Sequence, residues 1–461
     1  MIMAYIIGQS EYTKAEFLQS LEGKQDVLVS GTNIKTVNGN NILGAGNVDI
    51  NPRHYDYDLT ETELALKADT ISKIKSYNPN GNYVMIGFIT DLHTMPTRDV
   101  ILADEGIEDV VAAIQSYGIE LEAVEAGQTI AGQIRETWPS NDASYYGKTA
   151  ERSIILLGSI CHDAGVDAVF CNGDLSSGRL PYNSYAYMTE ILTRKFEEYI
   201  SVPYFIADGN HDRRYNSNVA ARINTEWRKY QSRFIRPKNL SVIYVKDIPE
   251  AATYGDEYPL LGYSVDIDKN TNNKLRVAVL SNYEKQNGDI PSAYADYSYA
   301  TCRQYTMSMT TRNPSDWVLC GVAHTIFWQD TSYYSCAFDG TAKGIGGGSD
   351  QHQFPAMNGG NKYKGVVGGI YGHLHQSTHA ADSGYHQIRV IDSCADVGAS
   401  TNNYGFSIFI FDTDNWWLYE IQVGKHNRDD TKYPTVEGSY EKVSDGVYRY
   451  KINHNEDTDK T

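Results

Sequence analysis

The sequence predicts an α/β protein: a layered body with a mixed sheet or two sheets, carrying a small β-rich N-terminal appendage. Three observations carry this. Between residues 83 and 207 apolar strand runs alternate with helical patterns, the order that gives parallel strands joined by crossovers. From residue 240 onward the pattern turns strand-rich. Residues 1–55 differ in texture, with short apolar pieces cut by Asn-Gly and Gly-x-Gly turns.

The 461 residues suffice for one large domain with appendages or for two to three domains. A net charge of -18 disfavours non-specific binding to nucleic acid or anionic membrane, because long-range repulsion must first be overcome. No apolar run approaches the roughly 20 residues of a membrane-spanning helix. The six cysteines (161, 171, 302, 320, 336 and 394) form no CxxC pair, which predicts a reducing compartment without disulfides. Cys161, Cys171 and Cys320 sit in apolar runs and read as buried thiols. The 36 tyrosines read as a Tyr-rich β scaffold.

In chain order, Met1 to Ile7 is apolar but lacks a basic leader and a cleavage pattern, so it reads as a strand or anchor and not a signal peptide. Residues 29–50 read as brief strands, too thin for a core of their own, that pack on a partner chain or subunit. Gly31-Thr32-Asn33-Ile34-Lys35-Thr36-Val37-Asn38-Gly39 followed by Ile42-Leu43-Gly44-Ala45-Gly46-Asn47 resembles a short module of bacteriophage tail and fibre proteins. That resemblance implies virion attachment or assembly, and fibre-like modules make a homo-oligomer an expectation by analogy.

Residues 56–80 read as a helical linker, opened by the capping-box spacing of Thr60 to Glu63 and closed by Asn78-Pro79-Asn80-Gly81. Tyr83 to Ile89 is the first core strand. Residues 94–147 form an insertion with one helix marked by Ile107, Val110, Val111 and Ile114, while 128–147 shows no clear element. A helix at 148–164, a strand at 168–171, a helix at about 186–200 and a strand at 204–207 follow. Further strands fall at 275–280, 317–320, 365–370 and 387–391, with a hairpin across 405–424. The main body thus spans 81–425, and 426–461 adds terminal strands and a polar tail.

Chemistry collects at strand ends. Ile86-Gly87-Phe88-Ile89-Thr90-Asp91-Leu92-His93 ends an apolar run in a carboxylate and an imidazole two residues apart. In an extended chain such side chains point the same way, so both reach one point past the strand. Four later runs repeat the form: Asn172-Gly173-Asp174, Gly209-Asn210-His211-Asp212, Ala323-His324 and Gly372-His373-Leu374-His375. Loops beyond strand carboxyl ends are where α/β sheets gather ligands.

This ordered set, over about 285 residues from Asp91 to His375, resembles the calcineurin-like metallophosphoesterase family. The resemblance implies a two-sheet β sandwich flanked by helices, with two metal ions at one edge. Position by position it implies that Asp91, His93 and His375 hold one metal, Asp174 bridges both, and Asn210, His324 and His373 hold the second. His211 matches the family's non-ligand histidine, which assists phosphate binding or leaving-group protonation. Two divalent ions roughly 3.5–4 Å apart clamp a phosphoryl group and make hydroxide from water at neutral pH. His, Asp and Asn ligands suit Mn, Fe, Zn or Ni alike.

There is one departure. Protein-phosphatase members carry G-D-x-x-D-R-G, whereas Gly173-Asp174-Leu175-Ser176-Ser177-Gly178-Arg179 places Ser177 at the second aspartate. That turns the expectation toward phosphodiesterases. Arg179, Arg213 and Arg214 adjoin these loops as substrate-phosphate binders. Lys343 to Ser349 lacks the P-loop spacing and reads as a flexible loop, and His352, His379 and His386 read as bystanders. With the phage-like module, the set implies a phosphodiesterase of a phage virion or prophage, present in host cytoplasm before assembly. It would act on a host surface polymer such as a teichoic acid or phosphorylated capsule, beside other tail proteins. The alternatives are a structural or receptor-binding virion protein with a non-catalytic metal site, and an intracellular nucleotide or nucleic-acid phosphoesterase.

Overall fold

The computed structural model describes residues 5–7, 10–12, 55–94, 96–139, 150–176, 180–207, 209, 212, 240–244, 263–270, 272–279, 317–324, 365–373, 375, 377–382, 385–391, 393, 405–424, 428, 430–431 and 435–452. The chain forms two compact units, Met1–His54 and Tyr55–Thr461. Of the first unit the structure describes one antiparallel hairpin, β1 (Tyr5–Ile7) with β2 (Ser10–Tyr12). The turn-rich segment 29–50 lies outside the described residues.

The second unit is built on two mixed seven-stranded sheets. The first sheet holds β6 (Leu240–Tyr244), β7 (Tyr263–Asn270), β8 (Asn273–Val279), β9 (Val318–Val322), β10 (Val366–Tyr371), β11 (Thr378–Asp382) and β12 (Tyr385–Arg389), in the order β11-β12-β10-β9-β8-β7-β6. The second holds β3 (Val84–Ile89), β4 (Ala168–Asn172), β5 (Tyr204–Ala207), β13 (Gly405–Asp412), β14 (Trp417–Gly424), β15 (Tyr440–Ser444) and β16 (Val447–Lys451), in the order β15-β16-β14-β13-β3-β4-β5. Strands β3, β4 and β5 run parallel, as do β8, β9, β10 and β12. Side chains alternate across the second sheet. Val84, Ile86, Phe88, Phe170 and Phe205 face the first sheet, while Met85, Ile89, Val169 and Ile206 face helices. Both faces are covered, which is why these strands read as unbroken apolar runs.

The helices are α1 (Glu61–Tyr77), α2 (Arg98–Ala103), α3 (Ile107–Ser116), α4 (Ile130–Thr137), α5 (Ala150–Ala164) and α6 (Tyr182–Tyr199). The capping box of α1 is present: Thr60 N donates to Glu63 Oε2 at 2.6 Å and Glu63 N to Thr60 Oγ1 at 3.3 Å. Helix α1 packs on α5 and β14. Its buried Lys67 pairs with Asp56 and Asp163, and Glu63 pairs with Arg152 of α5. Helix α4 corrects the reading of 128–147 as featureless. Thr129 caps it by accepting from Gly132 N at 3.0 Å, and it buries only Ala131 and Ile134, too small a stripe to register in the sequence. Helix α6 starts four residues earlier than expected because its first turn, Tyr182 to Tyr185, is buried although partly polar.

Strands β15 and β16 extend the second sheet past β14. Tyr440 and Tyr450 stack at 5.3 Å between ring centroids, and the Arg428 guanidinium lies 4.1 Å over Tyr448. Here the tyrosines serve as scaffold. Cys161, Cys171 and Cys320 are free and buried. Among the described residues no helix is long and apolar enough to cross a membrane.

Candidate metal centre

The loops after β3, β4, β9 and β10 meet at one edge of the sandwich. The loop after β3 leaves the strand immediately, so Asp91 and His93 do not converge through extended backbone. Both residues are left-handed, with φ of 52° and 42°. Asp174 (52°), His373 (77°) and His375 (52°) share that conformation, and among the described residues Trp416 is the sixth non-glycine with positive φ. Such backbone costs about 1–3 kcal/mol per residue and persists where surrounding structure over-determines it. For Asp91, His93 and Asp174 main-chain bonds do so. Asp91 N donates to Gly173 O at 3.2 Å, His93 N to Asp174 O at 2.8 Å and Thr94 N to Leu175 O at 2.8 Å, clasping the two loops together.

The side chains form two groups capable of holding a metal ion: Asp91, His93 and His375, and Asp174, His324 and His373. In the first, His93 Nε2 and His375 Nε2 are 3.2 Å apart, and Asp91 Oδ1 is 3.4 Å from His375 Nε2. In the second, His324 Nε2 is 3.2 Å from both His373 Nδ1 and Asp174 Oδ2. Ligands of one ion with bonds near 2.1 Å lie about 3.0–3.4 Å apart in octahedral or tetrahedral geometry. The groups face each other. Asp174 Oδ2 is 3.6 Å from His93 Nε2 of the first group and 3.2 Å from His324 of its own.

The hydrogen-bond pattern leaves the right atoms available. Asp91 is fully buried, and its Oδ2 accepts from His373 N and Thr90 Oγ1, both at 2.8 Å. Among the described residues its Oδ1 has no hydrogen-bond donor. A buried carboxylate oxygen aimed at three imidazoles without a donor is costly unless a cation sits there. Electrostatics point the same way. Burial opposes charge on His324, but the Asp174 and Asp91 carboxylates prevail and push it up to about 10. Burial likewise opposes ionisation of Asp91, which His324 and His375 nonetheless hold down to about 2. Burial and then the charge on His324 push His373 down to about 4. The carboxylates demand positive charge between them, and a divalent ion held by these residues would supply it in place of the second His324 proton.

Asn210, His211, Arg179, Arg213 and Arg214 lie outside the described residues, as does His352. His379 and His386 stand apart in β11 and β12, 3.0 Å from each other, with His386 Nε2 2.9 Å from Lys451 O. The sequence carried the run containing Asp212 but no role for it. Its buried carboxylate accepts from Leu175 N (2.9 Å), Ser176 N (3.2 Å) and Gly209 N (2.9 Å), tying the loop after β5 to that after β4. Burial and the nearby Asp174 push Asp212 up to about 8.

A profile of the calcineurin-like phosphoesterase family matches residues 84–377, which include every residue of both donor groups. The chain belongs to that family. It is a metallophosphoesterase, a hydrolase of phosphate esters, and a dinuclear metal centre is typical of its relatives. No curated protein matches the chain. Similar solved structures include a dimetal phosphatase from Danio rerio, with 11% identity and a TM-score of 0.40 over 74% of this chain and 96% of that one. A purple acid phosphatase from yellow lupin (Lupinus luteus) seeds has 13% identity and a TM-score of 0.37 over 74% of this chain and 51% of that one. A 5'-nucleotidase from Staphylococcus aureus, described as putative, has 12% identity and a TM-score of 0.33 over 77% and 56%.

Proposed function

We propose that this metallophosphoesterase is a dinuclear phosphodiesterase. The observation that carries the reading is the pair of facing donor groups with Asp174 Oδ2 between them. Asp91, His93 and His375 would hold one ion, His324, His373 and Asn210 the other, and Asp174 would bridge them. When bound, the ions supply positive charge to the phosphoryl oxygens and lower the pKa of water. The chain's own residues do the rest. Asp91 and Asp174 offset the metal charge, and the neutral imidazoles keep the centre electrophilic. His211, next in sequence to Asn210, donates a proton to the leaving oxygen, and Arg179, Arg213 and Arg214 contact substrate phosphate.

The preference for diesters rests on Ser177, which stands where protein-phosphatase members have an aspartate. The assay is hydrolysis of bis(p-nitrophenyl) phosphate against p-nitrophenyl phosphate by the full chain with Mn²⁺. Faster turnover of the diester, abolished by chelation and restored by metal, is expected. Preference for the monoester would overturn the diesterase reading. Metal binding without turnover of either ester would favour a receptor-binding protein.

The phage-like run at 31–47 supports a further assignment: residues 1–55 attach the enzyme to a virion, where it cleaves phosphodiesters of a host surface polymer. Mass spectrometry of purified particles is expected to find the chain. Its absence from them would favour an intracellular phosphoesterase.

A further inference from the structure

We propose that Asn172 is a positioning residue whose carboxamide holds the backbone from which His324 projects, while its main-chain oxygen sets the tautomer of that ring, an inference resting on the dinuclear reading above. Asn172 is the last residue of β4, in the second sheet, and is fully buried. His324 follows β9, in the first sheet, and is also fully buried. One asparagine holds the histidine twice across this junction. Its main-chain oxygen lies 2.8 Å from His324 Nδ1, and its carboxamide Nδ2 donates to Ala323 O at 2.8 Å.

The first contact sets the tautomer. A carbonyl oxygen only accepts, so Nδ1 must carry the hydrogen, and Nε2 is the nitrogen presented to Asp174 Oδ2 and His373 Nδ1, each 3.2 Å away. The second contact anchors the backbone from which the ring projects. Thr90 Oγ1, whose one hydrogen is shared between Asp91 Oδ2 and this carbonyl, also lies 2.8 Å from the Asn172 oxygen, and Ser393 N donates to Thr90 O at 3.0 Å. The loops after β3 and β12 thereby lie against the same point. Among the described residues the Nδ2 donor is the carboxamide's hydrogen bond, since Asn172 Oδ1 has none there. An aspartate of the same shape would set a carboxylate against the Ala323 carbonyl and lose that donor.

The contact lies on one donor group, and that makes it testable. Partners of this kind change metal affinity by about 10–100-fold. The experiment is calorimetric titration of the full-length, metal-stripped protein with Mn²⁺, comparing wild type with Asn172→Leu and Asn172→Asp. His93→Ala identifies the binding step of the other group. Wild type shows two steps. Both Asn172 variants are expected to weaken the step of the Asp174, His324 and His373 group by about 10–100-fold while leaving the His93-dependent step within about twofold.

Unchanged affinity, or equal loss in both steps from folded variants, would overturn the proposal. A wild type that binds no metal would instead overturn the dinuclear reading. If circular dichroism shows both variants unfolded, nitrogen-15 spectra of the zinc-loaded wild type decide. A proton on His324 Nδ1 is expected, and zinc on Nδ1 with the proton on Nε2 would refute the assignment.

Discussion

Asp174→Ala is expected to lower turnover of phosphate esters by about 1,000-fold or more. The carboxylate reaches both donor groups, so if it bridges the two ions as proposed its loss removes several kcal/mol of charge stabilisation in the transition state. About 4 kcal/mol corresponds to about a thousandfold in rate. The variant should nonetheless fold. Without metal, Asp174 crowds Asp91 and raises Asp212, so its removal relieves repulsion among buried carboxylates, offsetting the loss of a charge partner for His324, which keeps Asp91. Thermal melting separates the two effects. Mn²⁺ is expected to raise the melting temperature of the wild type by mass action, and the same concentration to leave that of Asp174→Ala nearly unmoved. Wild-type turnover in the variant would contradict the bridging role.

Gly209→Ala is expected to damage stability and catalysis together. A Cβ at position 209 would overlap both the main-chain nitrogen and the carboxylate of Asp174. The nitrogen belongs to a residue already held in left-handed backbone by the clasp between the loops after β3 and β4, so it cannot withdraw cheaply. Overpacking of this kind costs about 1–3 kcal/mol. The displacement falls on a proposed ligand, where small misplacements are amplified in rate; about 100-fold is a reasonable scale for 1 Å. Urea denaturation and steady-state rates on one preparation check both expectations. Gly372 sits under the same constraint, since a Cβ there would overlap Thr90 Oγ1 and the Asp91 carboxylate. Wild-type midpoint and rate in Gly209→Ala would show that these loops have room the structure denies them.

The candidate donor residues were legible in the sequence because metal chemistry restricts residue type. A carboxylate or imidazole directly after an apolar run is a local signal, and Asp91, His93, Asp174, His324, His373 and His375 all carry it. Their backbone was not legible. Nothing local in Thr90-Asp91-Leu92-His93 announces positive φ, because that conformation is imposed by hydrogen bonds to Gly173, Asp174 and Leu175, some 80 residues away. The roles of Asn172 and Asp212 were hidden for the same reason. Each acts on groups brought near only by folding: Asn172 on Ala323 and His324, and Asp212 on the amides of Leu175 and Ser176.

The central strands were visible because they are apolar on both faces, and that same uniformity concealed which sheet each belongs to; β6, β7 and β11, with polar residues such as Asp266, Asp268 and His379, were not singled out. Helix α4 escaped notice because two buried residues in eight make a faint stripe.

Anomalous X-ray scattering from crystals of the full chain grown with Mn²⁺ tests the central claim most directly. Two peaks about 3.5–4 Å apart are expected, one among Asp91, His93 and His375 and the other among Asp174, His324 and His373. A single peak, or manganese bound away from these six side chains, would contradict the dinuclear assignment.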